Sequence, residues 1–295
     1  YSTWSYYDPA TWRRGVWATF SWPLPYGASA VAMTETGAWA CAFTGCVHRT
    51  DDGDVGPTIA MPESPFAHEP TSAFATSHGL FVGPRPYGTS GGVVPPGLVV
   101  LRDAAEGAWE DASAGLRSWG PGSAGTPSVA TVSSMLELGG VLWATQSEDY
   151  LTPPFQPVVL RSIDGGRSWR EMREGVELVA LVRAEAGAFG LFRPGAIEAL
   201  DAAGEAFDPV AVQPGALVTD LVVDLVVLDG WLVAATTDDE HGSALWLSDD
   251  GARSWEPLLF DARIGPITDL DAHGSVLTIA SRTSGLWEAS GCFER

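Results

Sequence analysis

A few groups of residues have types and spacings that could do chemistry. Gly88-Thr89-Ser90-Gly91-Gly92 matches the G-x-S-x-G pattern of a nucleophilic serine, but such a serine works only where a strand enters the turn and a helix leaves it. This string runs into Val93-Val94-Pro95-Pro96, which does not read as a helix. Asp238-Asp239-Glu240-His241 and Asp51-Asp52-Gly53-Asp54 gather oxygens of the kind that hold Ca²⁺. They lack the spaced ligands of a calcium loop and read as solvated acidic turns. His48, His68, His78, His241 and His273 stand apart, with no i, i+2 or i, i+4 pair to suggest zinc. Cys41, Cys46 and Cys292 fit neither a zinc pattern nor C-x-x-C. One disulfide plus one free thiol is the simplest arrangement in an exported protein, a bridge to Cys292 would tie the two ends together, and three buried thiols are the alternative. The residues therefore assign no catalytic set, no metal and no cofactor.

Composition narrows the partners. The chain has 295 residues, 37 acidic against 16 basic, for a formal charge of −21. Its field repels phosphate backbones and anionic membrane surfaces, which argues against nucleic acid. Every basic residue is Arg, and there is no Lys and no Asn, which removes Schiff-base lysine chemistry, a P-loop and N-glycosylation. The most apolar stretch, Leu217 to Ala235, is broken by Asp220, Asp224 and Asp229, so no membrane span is expected. Tyr1 opens the sequence as in a mature chain after signal-peptide removal, giving the expectation of a periplasmic, extracellular or cell-surface protein.

Positioning such residues falls to a repeat. Ser162-Ile163-Asp164-Gly165-Gly166-Arg167-Ser168-Trp169 recurs as Ser248-Asp249-Asp250-Gly251-Ala252-Arg253-Ser254-Trp255, each after an apolar run. Eroded copies follow at Thr50 to Gly53, Arg102 to Trp109 and Leu200 to Phe207. Upstream of each lie two strand-like runs joined by a tight turn, such as Leu221 to Leu228 then Trp231 to Thr236. Each unit is thus four short strands, at roughly 25–66, 70–118, 126–176, 177–214, 215–265 and 266–295. The expectation is all-β: a single β-propeller domain over 1–295, of six four-stranded blades. Seven is the alternative if residues 1–24 hold another partial unit. The last blade lacks an outer strand, which Thr11 to Leu24 could supply to close the ring. A helix over the Ala-rich Asp103 to Leu116 is rejected, because Gly107 and Gly115 interrupt it.

The strings at Ser162–Trp169 and Ser248–Trp255 resemble those of Asp-box, or BNR-repeat, propellers: sialidases, sortilin-type receptors and photosystem assembly factors of the Ycf48 kind, within the wider class of WD40/YVTN-like repeat propellers. The resemblance implies that Ser162, Asp164, Gly166, Trp169, Ser248, Asp250, Gly251 and Trp255 build structural turns at the face away from the usual ligand site. It says much about fold and little about activity. The Arg-Ile-Pro triplet that sialidases carry near the first blade is missing; Gly83-Pro84-Arg85-Pro86 and Phe192-Arg193-Pro194 are the nearest strings.

On this layout the ligand-facing loops are unequal, with Pro84 to Gly97 and Gln146 to Pro157 long and Thr236 to Ser243 polar. Function concentrates in such loops, which makes Arg85, Tyr87, Trp119, Glu148, Asp149, Tyr150, Phe155, His241 and Arg282 the candidate ligand or partner face. Tyr1, Trp4, Tyr6, Tyr7, Trp12, Trp17, Trp22 and Tyr26 crowd the first 26 residues and could seal the last blade, dock a partner or stack on sugar. The function expected is a non-catalytic exported propeller that binds protein as a scaffold subunit. A sialidase-like glycan hydrolase or lectin is the alternative.

Overall fold

The structure, a computed structural model, describes residues 4–6, 18–20, 30–34, 36–42, 44–50, 52–62, 70–84, 97–121, 127–129, 131–147, 156–193, 195–211, 222–238, 242–258, 264–273, 275–282 and 285–290. A short hairpin pairs β1 (Trp4–Tyr6) with β2 (Ala18–Phe20). The first sheet is β3 (Ala30–Thr34), β4 (Gly37–Ala42) and β5 (Gly45–Thr50). The second is β6 (Pro70–Thr76), β7 (Gly79–Pro84), β8 (Val99–Leu101) and β9 (Trp109–Asp111). A separate hairpin, β10 (Ser118–Pro121) and β11 (Pro127–Val129), precedes the third sheet. That sheet is β12 (Thr131–Leu138), β13 (Val141–Ser147), β14 (Val158–Ser162) and β15 (Arg170–Glu174). The fourth is β16 (Glu177–Ala184), β17 (Gly187–Arg193), β18 (Ala196–Leu200) and β19 (Phe207–Pro209). The fifth is β20 (Val222–Leu228), β21 (Trp231–Asp238), β22 (Gly242–Ser248) and β23 (Glu256–Leu258). The sixth is β24 (Ile267–His273), β25 (Val276–Ser281) and β26 (Gly285–Ser290).

Every sheet is an antiparallel meander in chain order, and together they are the six blades of an all-β propeller. The first and sixth sheets have three strands among the described residues. Of the segment expected to close the last blade, Ala18–Phe20 pairs with Trp4–Tyr6, and the rest lies outside the described residues. The Ala-rich stretch after Asp103 forms turns and β9, not a helix.

Contacts divide the chain into two compact units, the first ending at Val176 and the second running from Glu177. Within each unit the core lies between successive sheets, and this is why the middle strands read as unbroken apolar runs. In the first unit Leu80, Val82, Val99 and Leu101 pack against Ala30, Ala32, Cys41 and Cys46, and on their other side Phe81, Leu98 and Val100 pack against Leu142, Val158, Leu160 and Trp169. In the second unit Leu191, Ile197 and Phe189 meet Leu225, Leu232 and Trp255, while Val233, Ala235 and Leu245 meet Ile267, Leu277 and Ile279. The open cysteine question resolves to a Cys41–Cys46 disulfide across the β4–β5 hairpin, with Cys292 outside the described residues.

The two strong boxes fold alike. Ser162 Oγ donates to Asp164 Oδ1 (2.7 Å) and accepts from the Gly166 amide (2.8 Å). Asp164 accepts from the Ser168 amide (2.9 Å) and the Ser168 hydroxyl. Desolvation pushes the Asp164 carboxyl up, but the Ser168 hydroxyl and amide, the Ser162 hydroxyl and the Arg167 amide outweigh it and hold the group down at about 2. In the second box Asp250 accepts from Ser248 Oγ (3.0 Å), the Ser254 amide (2.9 Å) and the Ser254 hydroxyl (2.6 Å). Against desolvation, these bonds and the Arg253 amide also lower it. At Gly166 φ is +81°, and a Cβ would fall 2.5 Å from the Phe81 ring, so Gly serves both conformation and packing. Its counterpart Ala252 takes φ of 65° as well, a strain of about 1 kcal/mol. Trp169 then reaches back to bond the Ala112 carbonyl of the preceding connector (2.9 Å), whereas Trp255 bonds the Ala252 carbonyl of its own turn (3.0 Å).

The eroded copies keep the turn and lose the network. Asp201 accepts the Glu205 amide (2.7 Å) and Asp103 the Ala105 amide (2.7 Å), with no serine hydroxyl beside either. Thr50 stands in at the first copy, its hydroxyl accepting the Asp54 amide (3.1 Å).

Candidate functional site

The boxes occupy one end of their sheets. In the third sheet the β12–β13 turn lies beside the box, since Leu138 pairs with Val141 and Leu142 with Ser162. The opposite end therefore holds the start of β12, the end of β13 and the start of β14, together with the connector from the preceding sheet. The resemblance to Asp-box propellers carries the expectation of ligands at this end.

The first strands of successive sheets are neighbours: β3, β6 and β12 in the first unit, β16, β20 and β24 in the second. Five of the six first hairpins slip register at one place, between Pro70 and Ser72, Val132 and Ser134, Leu178 and Ala180, Val222 and Asp224, and Ile267 and Asp269. Each slip inserts one unpaired residue, a β-bulge, near the strand's beginning and re-aims the side chains beside it. Counted back from the hairpin turns, Ala30, Ser72, Ser134, Ala180, Asp224 and Asp269 are one repeat position occupied by six residues.

In the first unit Ser72 Oγ at this position donates to the Val132 carbonyl (2.7 Å), tying β6 to β12. Nearby, Gln146 is fully buried. Its Oε1 accepts the Arg117 amide (2.9 Å) and its Nε2 donates to the Arg117 carbonyl (3.0 Å), so a side-chain amide completes the backbone bonding of the connector. The Arg117 guanidinium is held by Glu171 and Glu174 (2.8 Å to Glu174 Oε1). The hydrogen bonds it donates to Glu174 and Glu171 push its titration further up and keep it charged, and Arg117 in turn lowers Glu174. Directly after this clamp the chain enters the β10–β11 hairpin, with Trp119 opposite Ser128. The clamp fixes the root of an insertion that stands between two blades.

In the second unit the same repeat position holds two carboxyls. Asp224 is 9% exposed. Its Oδ1 accepts the Leu225 amide (2.7 Å), and its Oδ2 accepts the Leu270 amide of β24 (2.8 Å). Asp269, the residue before Leu270, is exposed and is the hydrogen-bond partner of the Asp224 carboxyl. Burial, then the hydrogen bond that protonated Asp224 can donate to Asp269 and the Asp269 charge, push the Asp224 carboxyl up to about 7, against the opposing pull of the Leu270 and Leu225 amides. Beside the pair a neutral tether also joins the fifth and sixth sheets. Thr237 Oγ1 donates to the Ile267 carbonyl (2.8 Å), and Ser243 Oγ accepts the Ile267 amide (2.8 Å).

Of the residues expected to face a ligand, Trp119 lies on β10, and Arg282 is exposed in the turn after β25, its amide bonded to the Pro266 carbonyl (2.9 Å). Arg85, Tyr87, Glu148, Asp149, Tyr150, Phe155 and His241 lie outside the described residues. Sequence reasoning missed Arg117, Gln146, Asp224 and Asp269. The signal for the last two was available, because aligning first strands on their turns puts both at one position. No group of three or more His, Cys, Asp or Glu among the described residues is placed to hold a metal, and no described helix is long and apolar enough to cross a membrane.

No family model matches the chain, and no curated protein matches it. Solved structures do. The structure of Ycf48 bound to a D1 peptide aligns at a TM-score of 0.53 and 13% identity, covering 90% of this chain and 79% of that one. Ycf48 from Cyanidioschyzon merolae aligns at 0.53 and 14%, covering 88% and 78%. PorZ, a bacterial surface component of the type-IX secretion system of Porphyromonas gingivalis, aligns at 0.51 and 10%, covering 90% of this chain and 33% of that one. At these identities the likeness is one of fold.

Proposed function

We propose that this chain is a non-catalytic, exported Asp-box propeller that binds a protein or peptide partner, as a subunit of a periplasmic or extracellular assembly. The observation that carries the reading is the fold likeness, over most of both chains, to a propeller captured with a bound peptide. The ends of the sheets away from the boxes supply the binding surface in this reading. There the β10–β11 hairpin is rooted by Gln146 and Arg117, and Trp119 on β10 is of the residue type that dominates binding energy at interfaces. The Cys41–Cys46 disulfide supports export, since such bonds persist in oxidising compartments. A charge of −21 favours a partner with a basic binding segment.

The test is isolation of the native protein with a stoichiometric partner, followed by reconstitution from purified components. Trp119→Ala is expected to weaken the reconstituted complex by about 30-fold, the effect of losing a central aromatic anchor. A native protein that purifies as a stable monomer would overturn the reading. Specific signals on a glycan array without a protein partner would replace it with a lectin.

A further inference from the structure

We propose that Asp224 and Asp269 share a proton, and that this carboxyl pair is a pH-operated joint between β20 and β24, closed while the proton is held and loosened when it leaves. The inference does not depend on the binding reading, although the joint lies at the same end of the sheets.

The first argument is geometric. Both oxygens of Asp224 are committed to amides, Leu225 on its own strand and Leu270 on the next, so the side chain bridges two sheets from a buried position. A second carboxyl at the adjacent residue, Asp269, meets it there. Two carboxyls that share a hydrogen bond, one of them buried, cannot both carry charge without strong repulsion, so the buried Asp224 keeps a proton and donates it to Asp269.

The second argument comes from the repeat. The fold does not require a carboxyl at this position: Ser72 ties β6 to β12 with a neutral hydroxyl, and Ala180 and Ala30 occupy it without any polar side chain. Burying an ionisable group costs far more than burying a hydroxyl. Acid at two successive copies therefore adds a property that the neutral versions lack, namely a response to protons.

Among the described residues, the strands around the pair carry the following groups. Across β21 the residue near Asp224 in register is Ala235, and on β16 the equivalent residue is Ala180. The charged residues of β16 are Glu177, which pairs with Arg193, and Arg183, which is exposed. β21 carries Asp238 at its far end, beside Gly242. On β24, Asp271 is exposed and accepts the Ala272 amide, and His273 ends the strand at the hairpin turn. Arg282 is exposed beyond β25. Among these, the charge acting on Asp224 is that of Asp269.

The sign follows from linkage. Asp224 in the folded chain titrates at about 7, above its ordinary 3.8. The native state thus holds a proton that the unfolded chain has already released. The stability from the closed pair is complete below 3.8 and is lost as pH rises through about 7.

The experiment uses the full chain with a chelator present, so that no cation can replace the proton. Amide exchange at Leu270 and Leu225 and the denaturant midpoint are followed from about pH 4 to about pH 8.5. Exchange protection at Leu270, corrected for intrinsic rates, is expected to fall by about tenfold per pH unit between about 4 and 7. Asp224→Asn, which keeps an acceptor but cannot ionise, should flatten that slope. The exposed-side variant Asp269→Asn should weaken it, which keeps the test open if Asp224→Asn folds poorly. Infrared difference spectra should show a protonated carboxyl near pH 6 that disappears with base and is missing in Asp224→Asn. A slope unchanged in both variants, or no protonated carboxyl in the native protein, overturns the proposal.

Discussion

Substituting Asp164 by Ala isolates what a complete Asp box contributes. The wild-type carboxylate accepts the Ser168 amide, the Ser168 hydroxyl and the Ser162 hydroxyl. Hydrogen bonds to a charged group are each worth roughly 1.5–3 kcal/mol when buried, but this turn meets solvent, and water replaces part of what is lost. The expected net loss is therefore about 2 kcal/mol, or about 4 °C in Tm for a chain of this size. Asp164→Asn keeps one acceptor and can donate to the Ser168 hydroxyl, so it should lose about half as much. Asp250→Ala should match Asp164→Ala or slightly exceed it, because Asp250 accepts the same three bonds in kind and one more from the Arg253 amide (3.0 Å). The eroded copy is the internal control. Asp103 bonds a single amide with its side chain, so Asp103→Ala should cost under about 1 kcal/mol. Differential scanning calorimetry and denaturant titration at neutral pH read all four variants. Equal losses at Asp103 and Asp164 would refute the idea that the serine–aspartate network is the stabilising element, and would credit the turn backbone alone. A wild-type box should also weaken in acid, since a carboxyl held at about 2 gives stability that is present above 3.8 and lost as pH falls through 2.

Two further outcomes test other parts of the fold. Gln146→Leu removes both bonds that the Gln146 amide makes to the Arg117 backbone, so it should cost about 2 kcal/mol and raise amide exchange selectively from Arg117 into the β10–β11 hairpin. Reducing the Cys41–Cys46 bond, or replacing both residues by Ala, opens a loop closed by a sequence separation of 5, for which chain entropy alone predicts a loss of about 2 kcal/mol. Mass spectrometry of peptides from the unreduced protein should find Cys41 linked to Cys46, and a Cys41–Cys292 peptide would contradict the fold described for the first sheet.

Much of the fold was legible because its turns are written in side chains. The expected strands 221–228 and 231–236 became Val222–Leu228 and Trp231–Asp238, and the turn between them, Asp229 and Gly230, takes positive φ at both residues as a two-residue hairpin of matching twist demands. The β10–β11 hairpin was not legible. It falls at a blade boundary, in a Gly- and Pro-rich stretch with no alternation of apolar and polar residues, and its pairing shifts register between Trp119 and Pro121. The Gln146 clamp was hidden for another reason: a lone Gln reads as a solvated loop residue until the connector is seen to fold over it.

The candidate site was obscured by the very feature that revealed the fold. A box can be read from sequence because its function is local, with Ser162, Asp164 and Ser168 bonding within one turn. The position of Asp224 and Asp269 works between strands 46 residues apart in the chain, so no local string announces it, and its residue changes from Ala to Ser to Asp around the repeat. Where every copy must make the same turn, the repeat leaves a recognisable signature. Where copies face one another, each can take a different side chain and the signature dissolves. Divergence at a position whose backbone geometry recurs, here the bulge shared by five sheets, is therefore the more useful pointer to function. It directs attention to the start of each first strand, away from the boxes by which the fold was found.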